Sequence, residues 1–198
     1  PWWALYPKVE DYFARILSVM TRGREVRDLL VVHPVESAWV LCRRNWIDAK
    51  GWRPEISELN QGFSEVRDTL LQNQIDYDYG NEVIMSRHAR VIRGAGGPVL
   101  KVGKASYRAV VLPPMITLRR STLNLLRQFR KAGGLVVFAG KPASYLEGRP
   151  SNTVEAFVRE CRQAVFTGAA LVRAVEKDCR RLSIVDGKGH AIPSALYL

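Results

Sequence analysis

The fold class of this chain is indicated by residues 29–39, which read Leu29-Leu30-Val31-Val32-His33-Pro34-Val35-Glu36-Ser37-Ala38-Trp39. Four consecutive aliphatic residues are typical of a strand that is buried on both faces, as in a parallel sheet. His33-Pro34 ends this strand, because proline has no N–H to donate to a neighbouring strand. An imidazole, a carboxylate, a hydroxyl and an indole therefore follow directly after the first predicted strand.

The same alternation of buried strands and amphipathic helices continues along the chain. Aliphatic runs at 109–112 and 135–139 predict two more buried strands, and a shorter strand is expected within 75–80. Apolar residues at helical spacing predict helices at 8–22, from Ser57, at 82–89, from Thr117, from Asn152 and at 169–178. This order predicts a doubly wound α/β domain, a mostly parallel sheet flanked by helices and flavodoxin-like or related to it.

Two segments depart from this pattern. Residues 99–107 alternate around Gly103-Lys104, which predicts a short β-hairpin excursion. Residues 182–190 predict a strand and a tight turn, with 195–198 as the returning strand. The second hairpin is typical of the opening of a separate β domain. Because the chain starts at Pro1 and breaks off within that alternation, we expect it to belong to a longer polypeptide.

The charge balance is strongly basic, with 30 Lys and Arg against 19 Asp and Glu and a net charge of +11. Basic domains often bind nucleic acid. Here the cations are spread along the chain, no nucleic-acid motif accompanies them, and most aromatic residues lie in apolar contexts. We therefore disfavour nucleic acid as a partner, and expect either a solvated basic face or one that docks on an acidic neighbouring domain.

Several other classes are disfavoured by missing signals. No apolar run reaches the roughly 18–20 residues that span a bilayer, so a membrane partner is not expected. Cys42, Cys161 and Cys179 are odd in number and lack CxxC spacing, which indicates neither a disulfide framework nor a zinc site and weakly favours the cytoplasm. We find no Walker loop and no GxSxG motif, and we expect no cofactor and no metal.

The polar residues after the first strand allow two interpretations. His33 or Glu36 could act as an acid or base, or contribute a contact to a ligand or a neighbouring domain. The favoured alternative is structural, with Glu36 bonding nearby backbone N–H groups. Asp76 and Asp78 could likewise form a catalytic carboxylate pair, but acids two positions apart are more often turn formers, with Asp78 capping the next helix.

Four segments together resemble a known kind of enzyme. They are 10–15, 31–39, 76–80 (Asp-Tyr-Asp-Tyr-Gly) and 107–115 (Tyr-Arg-Ala-Val-Val-Leu-Pro-Pro-Met). They resemble the region after the catalytic barrel in large bacterial glycoside hydrolases of the α-L-rhamnosidase-like type, and more distantly the trimerisation domain of a β-galactosidase family. The resemblance implies a class I glutamine amidotransferase-like fold that has lost its activity.

In an active amidotransferase a cysteine nucleophile follows the strand that comes after a Gly-Gly helix end. Here that corner is Phe138-Ala139-Gly140-Lys141, which contains neither cysteine nor serine. By the same resemblance, the catalytic carboxylates would lie on a preceding barrel. We therefore expect no catalytic residue and no enzyme activity in this chain alone.

These considerations predict three regions: a trailing helix of a barrel at 1–25, the α/β domain at 26–179, and the start of a β domain at 180–198. The first hypothesis is a non-catalytic accessory domain of a glycoside hydrolase, which packs between a barrel and a β-sandwich. Its partners would be neighbouring domains, with a homo-oligomer as a further candidate. Trp2 and Trp3 would dock on a neighbour and should be exposed without it.

The second hypothesis is a binding module for a carbohydrate or small metabolite. Trp39, Trp46 and Trp52 lie in one long connection, and exposed indoles can stack on sugar rings. An active amidotransferase-like or esterase-like enzyme is a third hypothesis, which the empty nucleophile corner disfavours.

Overall fold

The computed structural model describes residues 2–42, 47–48, 51–52, 54–164 and 168–192. A short 3₁₀ turn, Trp3–Leu5, precedes the first helix. The helices are α1 (Tyr6–Met20), α2 (Val35–Leu41), α3 (Pro54–Gln72), α4 (Glu82–His88), α5 (Arg120–Lys131), α6 (Asn152–Glu160) and α7 (Gly168–Cys179). None of these helices combines the length and the apolar character that a bilayer-spanning segment requires.

The strands of the first half are β1 (Leu29–Val32), β2 (Ile47–Asp48), β3 (Gly51–Trp52), β4 (Tyr77–Gly80), β5 (Ala89–Gly94), β6 (Gly97–Val102) and β7 (Ala105–Tyr107). Those of the second half are β8 (Ala109–Leu112), β9 (Thr117–Leu118), β10 (Leu135–Ala139), β11 (Tyr145–Leu146), β12 (Arg149–Pro150) and β13 (Arg162–Ala164).

The central sheet confirms the predicted α/β class. Its five strands lie in the order β13-β10-β8-β1-β4, and every neighbouring pair is parallel. Counted along the chain from the β4 edge, the order is 2-1-3-4-5. All four residues of β1 and all four of β8 are buried, as the aliphatic runs predicted.

Helices cover both faces of this sheet. Because successive side chains of a strand point to opposite faces, Leu30 and Val32 pack with α5 and α6, whereas Leu29 and Val31 pack with α3 and α7. Three large rings, Phe129, Phe138 and Phe157, fill the α5–α6 side and are fully buried. The core therefore consists of two apolar layers, one on each face of the sheet.

The excursion is larger than predicted. The turn at Gly103-Lys104 joins β6 to β7 as expected, but residues 89–94, which were not predicted to be a strand, form β5 and complete a three-stranded antiparallel meander. Leu100 and Tyr107 bury their side chains in the core layer of α5. The meander is thus part of the packed domain.

The predicted helix start at Thr117 is wrong. Thr117 lies in β9, which pairs with β11 in a small sheet of order β12-β11-β9, and its hydroxyl accepts a hydrogen bond from the Gly148 N–H. The helix α5 begins at Arg120, whose N–H is bound by the carboxylate of Glu147. The helix α6 begins at Asn152 as predicted, and its N-cap is Ser151, whose hydroxyl accepts from the Thr153 N–H.

The tail after α7 contacts the body of the domain. The buried amide of Gln74 exchanges hydrogen bonds with the backbone N–H and C=O of Ile184 and donates to the Ile192 carbonyl. The Arg181 guanidinium pairs with the buried carboxylate of Asp28. A single antiparallel bridge joins Val185 to Ala191. The returning strand predicted at 195–198 lies outside the described residues, and the domain boundaries stay a prediction.

The end of α5 shows why two glycines follow one another there. Gly133 has a φ of +98°, a left-handed conformation that favours glycine and commonly ends helices. At position 134 glycine is required because no larger residue fits: a Cβ there would lie 2.4 Å from Cε2 of Phe129. The second glycine therefore lets the buried Phe129 ring pack against the backbone.

We predict that Gly134→Ala destabilises the protein by about 1–3 kcal/mol, because the added methyl group overlaps a ring that has no room to move. The matched control is Gly187→Ala, where a Cβ would meet no atom within 4 Å. That variant should stay within about 0.5 kcal/mol of the wild type. Urea unfolding followed by far-UV circular dichroism measures both, and equal stabilities of the two variants would contradict the packing argument.

Candidate functional site

Ligands of open α/β sheets bind beyond the carboxyl ends of the strands, where the strand order reverses. In this sheet that place lies between the ends of β1 and β8. The fully buried hydroxyl of Ser37 lies there, accepting hydrogen bonds from the N–H groups of Ile116 (2.9 Å) and Thr117 (3.2 Å). The hydroxyl also lies 3.3 Å from the Thr117 carbonyl, to which it donates. Ser37 therefore ties the chain that follows β1 to the chain that follows β8.

Glu36 lies beside this crevice and is engaged with an arginine. Its carboxylate accepts a 2.6 Å hydrogen bond from Nε of Arg119, and the interaction raises the pKa of the guanidinium. The predicted bond from Glu36 to nearby backbone N–H groups is wrong, because Arg119 approaches from the segment before α5.

Glu82 is the most buried carboxyl group near Arg119. Its Oε2 accepts a 2.8 Å hydrogen bond from the Arg119 N–H, and only 1% of the residue is exposed. Burial raises the pKa of Glu82, and the neighbouring charge of Glu36 raises it further. Arg119 thus joins two carboxyl groups, one from the end of β1 and one from the start of α4.

His33 is packed between aromatic rings. Its ring centroid lies 5.1 Å from that of Phe63 and 5.8 Å from that of Tyr79, both edge-on. Burial lowers the pKa of His33, which favours the neutral imidazole. The ring borders a cleft of about 450 Å³ whose walls also include Ile56 and Leu59. Glu36 is not among the contacts of this imidazole, so the two residues do not form an acid–base pair.

Trp39 lies at the surface and borders a second cleft. Its side chain is 57% exposed, and the cleft of about 400 Å³ also includes Glu36, Arg119 and Glu147. Of the other two tryptophans in the predicted binding connection, Trp46 lies outside the described residues. Trp52 is described only as part of the backbone of β3. The structure therefore brings Trp39 together with Glu36, and the predicted contributions of Trp46 and Trp52 stay predictions.

The acids of the 76–80 segment are tied to an arginine. Nε of Arg27 donates to Asp76 (2.9 Å), and Nη1 of the same guanidinium donates to Asp78 (2.8 Å). The Tyr107 hydroxyl also donates to Asp78 (2.8 Å). The prediction that Asp78 caps the next helix is wrong, because the side chain of Asn81 accepts from the first N–H groups of α4. Both acids also lie at the amino end of β4, away from the carboxyl edge of the sheet.

The turn predicted to lack a nucleophile, Phe138-Ala139-Gly140-Lys141, lies at the end of β10. Gly140 has a φ of +114°, a conformation that favours glycine, and Lys141 comes next. In a nucleophile elbow a helix follows this turn directly, but here β11 and β12 intervene before α6. Burial raises the pKa of Cys161 to about 11 and that of Cys179 to about 12, which keeps both thiols protonated.

A further exposed feature lies in the 3₁₀ turn and α1. Trp2 is 67% and Trp3 71% exposed, and none of the residues of α1 is buried. Its apolar side chains recur three and four positions apart and form a stripe on one side of the helix, which we call the α1 stripe: Val9, Tyr12, Phe13, Ile16, Leu17 and Met20. Such a stripe normally packs against a neighbour.

Sequence reasoning missed the roles of Ser37, Glu82 and Arg119. A single serine, glutamate or arginine forms no distinctive sequence pattern, and the partners that define these roles are 37 to 83 residues apart in the sequence.

Among the described residues, no group of His, Cys, Asp and Glu is arranged to hold a metal ion. Comparisons with protein-family models, with curated proteins and with solved structures found no match.

Because burial raises the pKa of Glu82 in the folded state, stability contributed at low pH is lost as the pH rises from about 4.3, the usual pKa of Glu, through the raised value. A glutamine keeps a side-chain oxygen for the Arg119 N–H and has no charge. We predict that Glu82→Gln becomes more stable relative to the wild type between pH 4 and pH 7. Urea unfolding at several pH values measures this, and a difference that does not change with pH would refute it.

Proposed function

We propose that this chain is a non-catalytic accessory domain of a multidomain glycoside hydrolase. In this proposal the domain packs between a catalytic barrel and a β-sandwich, and it has no enzyme activity alone. The observation that carries the structural part is the α1 stripe, a row of aromatic and aliphatic side chains with no buried member. The assignment to a glycoside hydrolase is supported by the resemblance of four sequence segments to the α-L-rhamnosidase-like enzymes.

The fold supports the accessory role in two ways. The strand order 2-1-3-4-5 is the order of flavodoxin-like sheets, which supports the predicted flavodoxin-like fold. Two positions where such a domain would do chemistry are used otherwise: the Ser37 hydroxyl binds backbone N–H groups, and Gly140 stands at the nucleophile corner. We infer that the role of this fold is to present surfaces to neighbouring domains.

The α1 stripe would be buried best against one flat or shallow apolar surface of another folded domain. Tyr12 and Phe13 are 61% and 55% exposed, and burying one such side chain contributes about 1.5–3 kcal/mol. The opposite side of the helix is polar and carries the Asp11–Arg15 ion pair. This division is typical of a helix with one face against a partner and the other in water. We name the catalytic barrel as that partner.

We predict that the chain binds the separately produced catalytic barrel of the same polypeptide, and that Phe13→Glu weakens this binding at least tenfold, since a charge would be buried in the interface. Ser18→Glu is the matched control, because Ser18 is exposed on the opposite side of α1. Isothermal titration calorimetry measures both affinities. Absence of binding, or equal affinities of the two variants, would contradict the proposal.

The assignment to a glycoside hydrolase has a separate test. The coding region beside this segment should encode a barrel with two carboxylates about 5–9.5 Å apart. A different type of catalytic domain there would leave the docking role intact and remove the glycosidase assignment.

A second candidate function is carbohydrate binding at the cleft beside Trp39. One specific observation favours it: an exposed indole lies with two carboxylates and a guanidinium, the groups that stack on sugar rings and bind hydroxyls. Glu147 has a φ of +54°, and a strained non-glycine residue of this kind is enriched at ligand sites. Contributions from Trp46 and Trp52 stay predictions.

We predict that, if this cleft binds sugars, a panel of neutral oligosaccharides changes the tryptophan fluorescence at millimolar concentration. Trp39→Ala should abolish the response, because it removes the stacking surface. Trp2→Ala is the control, since Trp2 is also largely exposed but borders neither described cleft. No response from the wild type, or a response that survives in Trp39→Ala, would exclude this site.

A further inference from the structure

The net positive charge of this chain is concentrated in one segment, although the cations themselves are spread along the chain. Between Glu82 and Glu147 the sequence contains no Asp or Glu, but it contains twelve Lys and Arg residues. This segment builds the meander β5-β6-β7 and helix α5, which pack against each other. The excess of cations is therefore local and is carried by one part of the folded domain.

The outer face of the meander places these cations in register. Arg90 on β5 lies directly opposite Lys101 on β6, and the next pair on the same face is Ile92 opposite Val99. The intervening Val91 points the other way and packs against the core. The meander face is our name for one side of this sheet, formed by Arg90, Ile92, Val99, Lys101 and the exposed Ser106 opposite Lys101.

The cations of the meander are not neutralised by the fold. Among the described residues, none forms an ion pair or a side-chain hydrogen bond with Arg90, Lys101 or the neighbouring Arg87, Arg93 and Lys104. Like charges directly opposite each other on a sheet are destabilising. Arg90 and Lys101 carry like charges at facing positions of the sheet, and an anion between them would relieve their repulsion.

We propose that the meander face binds an acidic segment of a partner protein. A carboxylate would lie between Arg90 and Lys101, and an apolar side chain of the same segment would cover the Ile92–Val99 pair. An apolar centre with charged residues around it is the usual anatomy of a protein–protein interface. The proposal is independent of the α1 stripe, which has a different chemistry and belongs to another element.

The composition of the face argues against nucleic acid. Proteins that bind single strands combine cations with aromatic side chains on which the bases stack. The meander face has aliphatic side chains at its centre and no aromatic ring. A polyanion without apolar groups would gain only the electrostatic part of the interaction, which decreases steeply with salt.

The probe is a fluorescein-labelled peptide of alternating Glu and Leu, compared with poly-glutamate and with heparin at equal total charge. Anisotropy titrations at two salt concentrations should show that the Glu-Leu peptide binds most tightly and loses the least affinity at high salt. Lys101→Glu should weaken its binding at least tenfold. The matched control, Arg173→Glu, makes the same change of net charge at an exposed residue of α7 on the other side of the sheet, and should change binding less than twofold.

Thermal unfolding separates lost binding from lost folding. Lys101→Glu places an acid opposite Arg90, which replaces a repulsion by an attraction and should raise Tm by about 1–3 °C. Weaker binding by a more stable variant supports the proposal. Equal losses in Lys101→Glu and Arg173→Glu, tighter binding of heparin or poly-glutamate than of the peptide, or no binding of the peptide would each overturn it.

Discussion

The hydrogen bonds of Ser37 are the constraint on which the rest of this edge depends. At the carboxyl end of the sheet, β1 and β8 separate and leave backbone N–H groups that must find partners. The buried hydroxyl satisfies two of them, at Ile116 and Thr117. Leaving such buried donors without a partner costs about 1–3 kcal/mol each. These hydrogen bonds therefore hold the chain that follows β1 against the chain that follows β8.

The carboxylates of the domain are largely engaged within it. Glu36 and Glu82 bind Arg119, Glu147 binds the start of α5, and Asp28 pairs with Arg181. Negative groups at a helix start also interact favourably with the helix dipole. Because these acids hold distant segments together, they are not free to neutralise the meander. The excess of Lys and Arg over Asp and Glu, 30 against 19, is therefore left uncompensated at the meander.

Two surfaces of different chemistry result from this organisation. The α1 stripe is apolar and aromatic, and it can be buried only against another apolar surface. The meander face is cationic with a small aliphatic centre, and it favours an acidic partner. These two faces, together with Gly140 at the nucleophile corner, are the observations on which the proposed accessory role rests.

The sequence by itself determined the layers of the fold. Residues 29–32, 109–112 and 135–139 could be predicted as buried strands, and α1, α4 and α7 as helices, because apolar spacing is a local signal. Only the tertiary structure decided the site. Ser37 lies 80 residues from Thr117, and Glu36 lies 83 from Arg119, so these hydrogen bonds exist only after the strands are ordered. Thr117 shows the same limit, since its pairing with β11 overrode its local tendency to cap a helix.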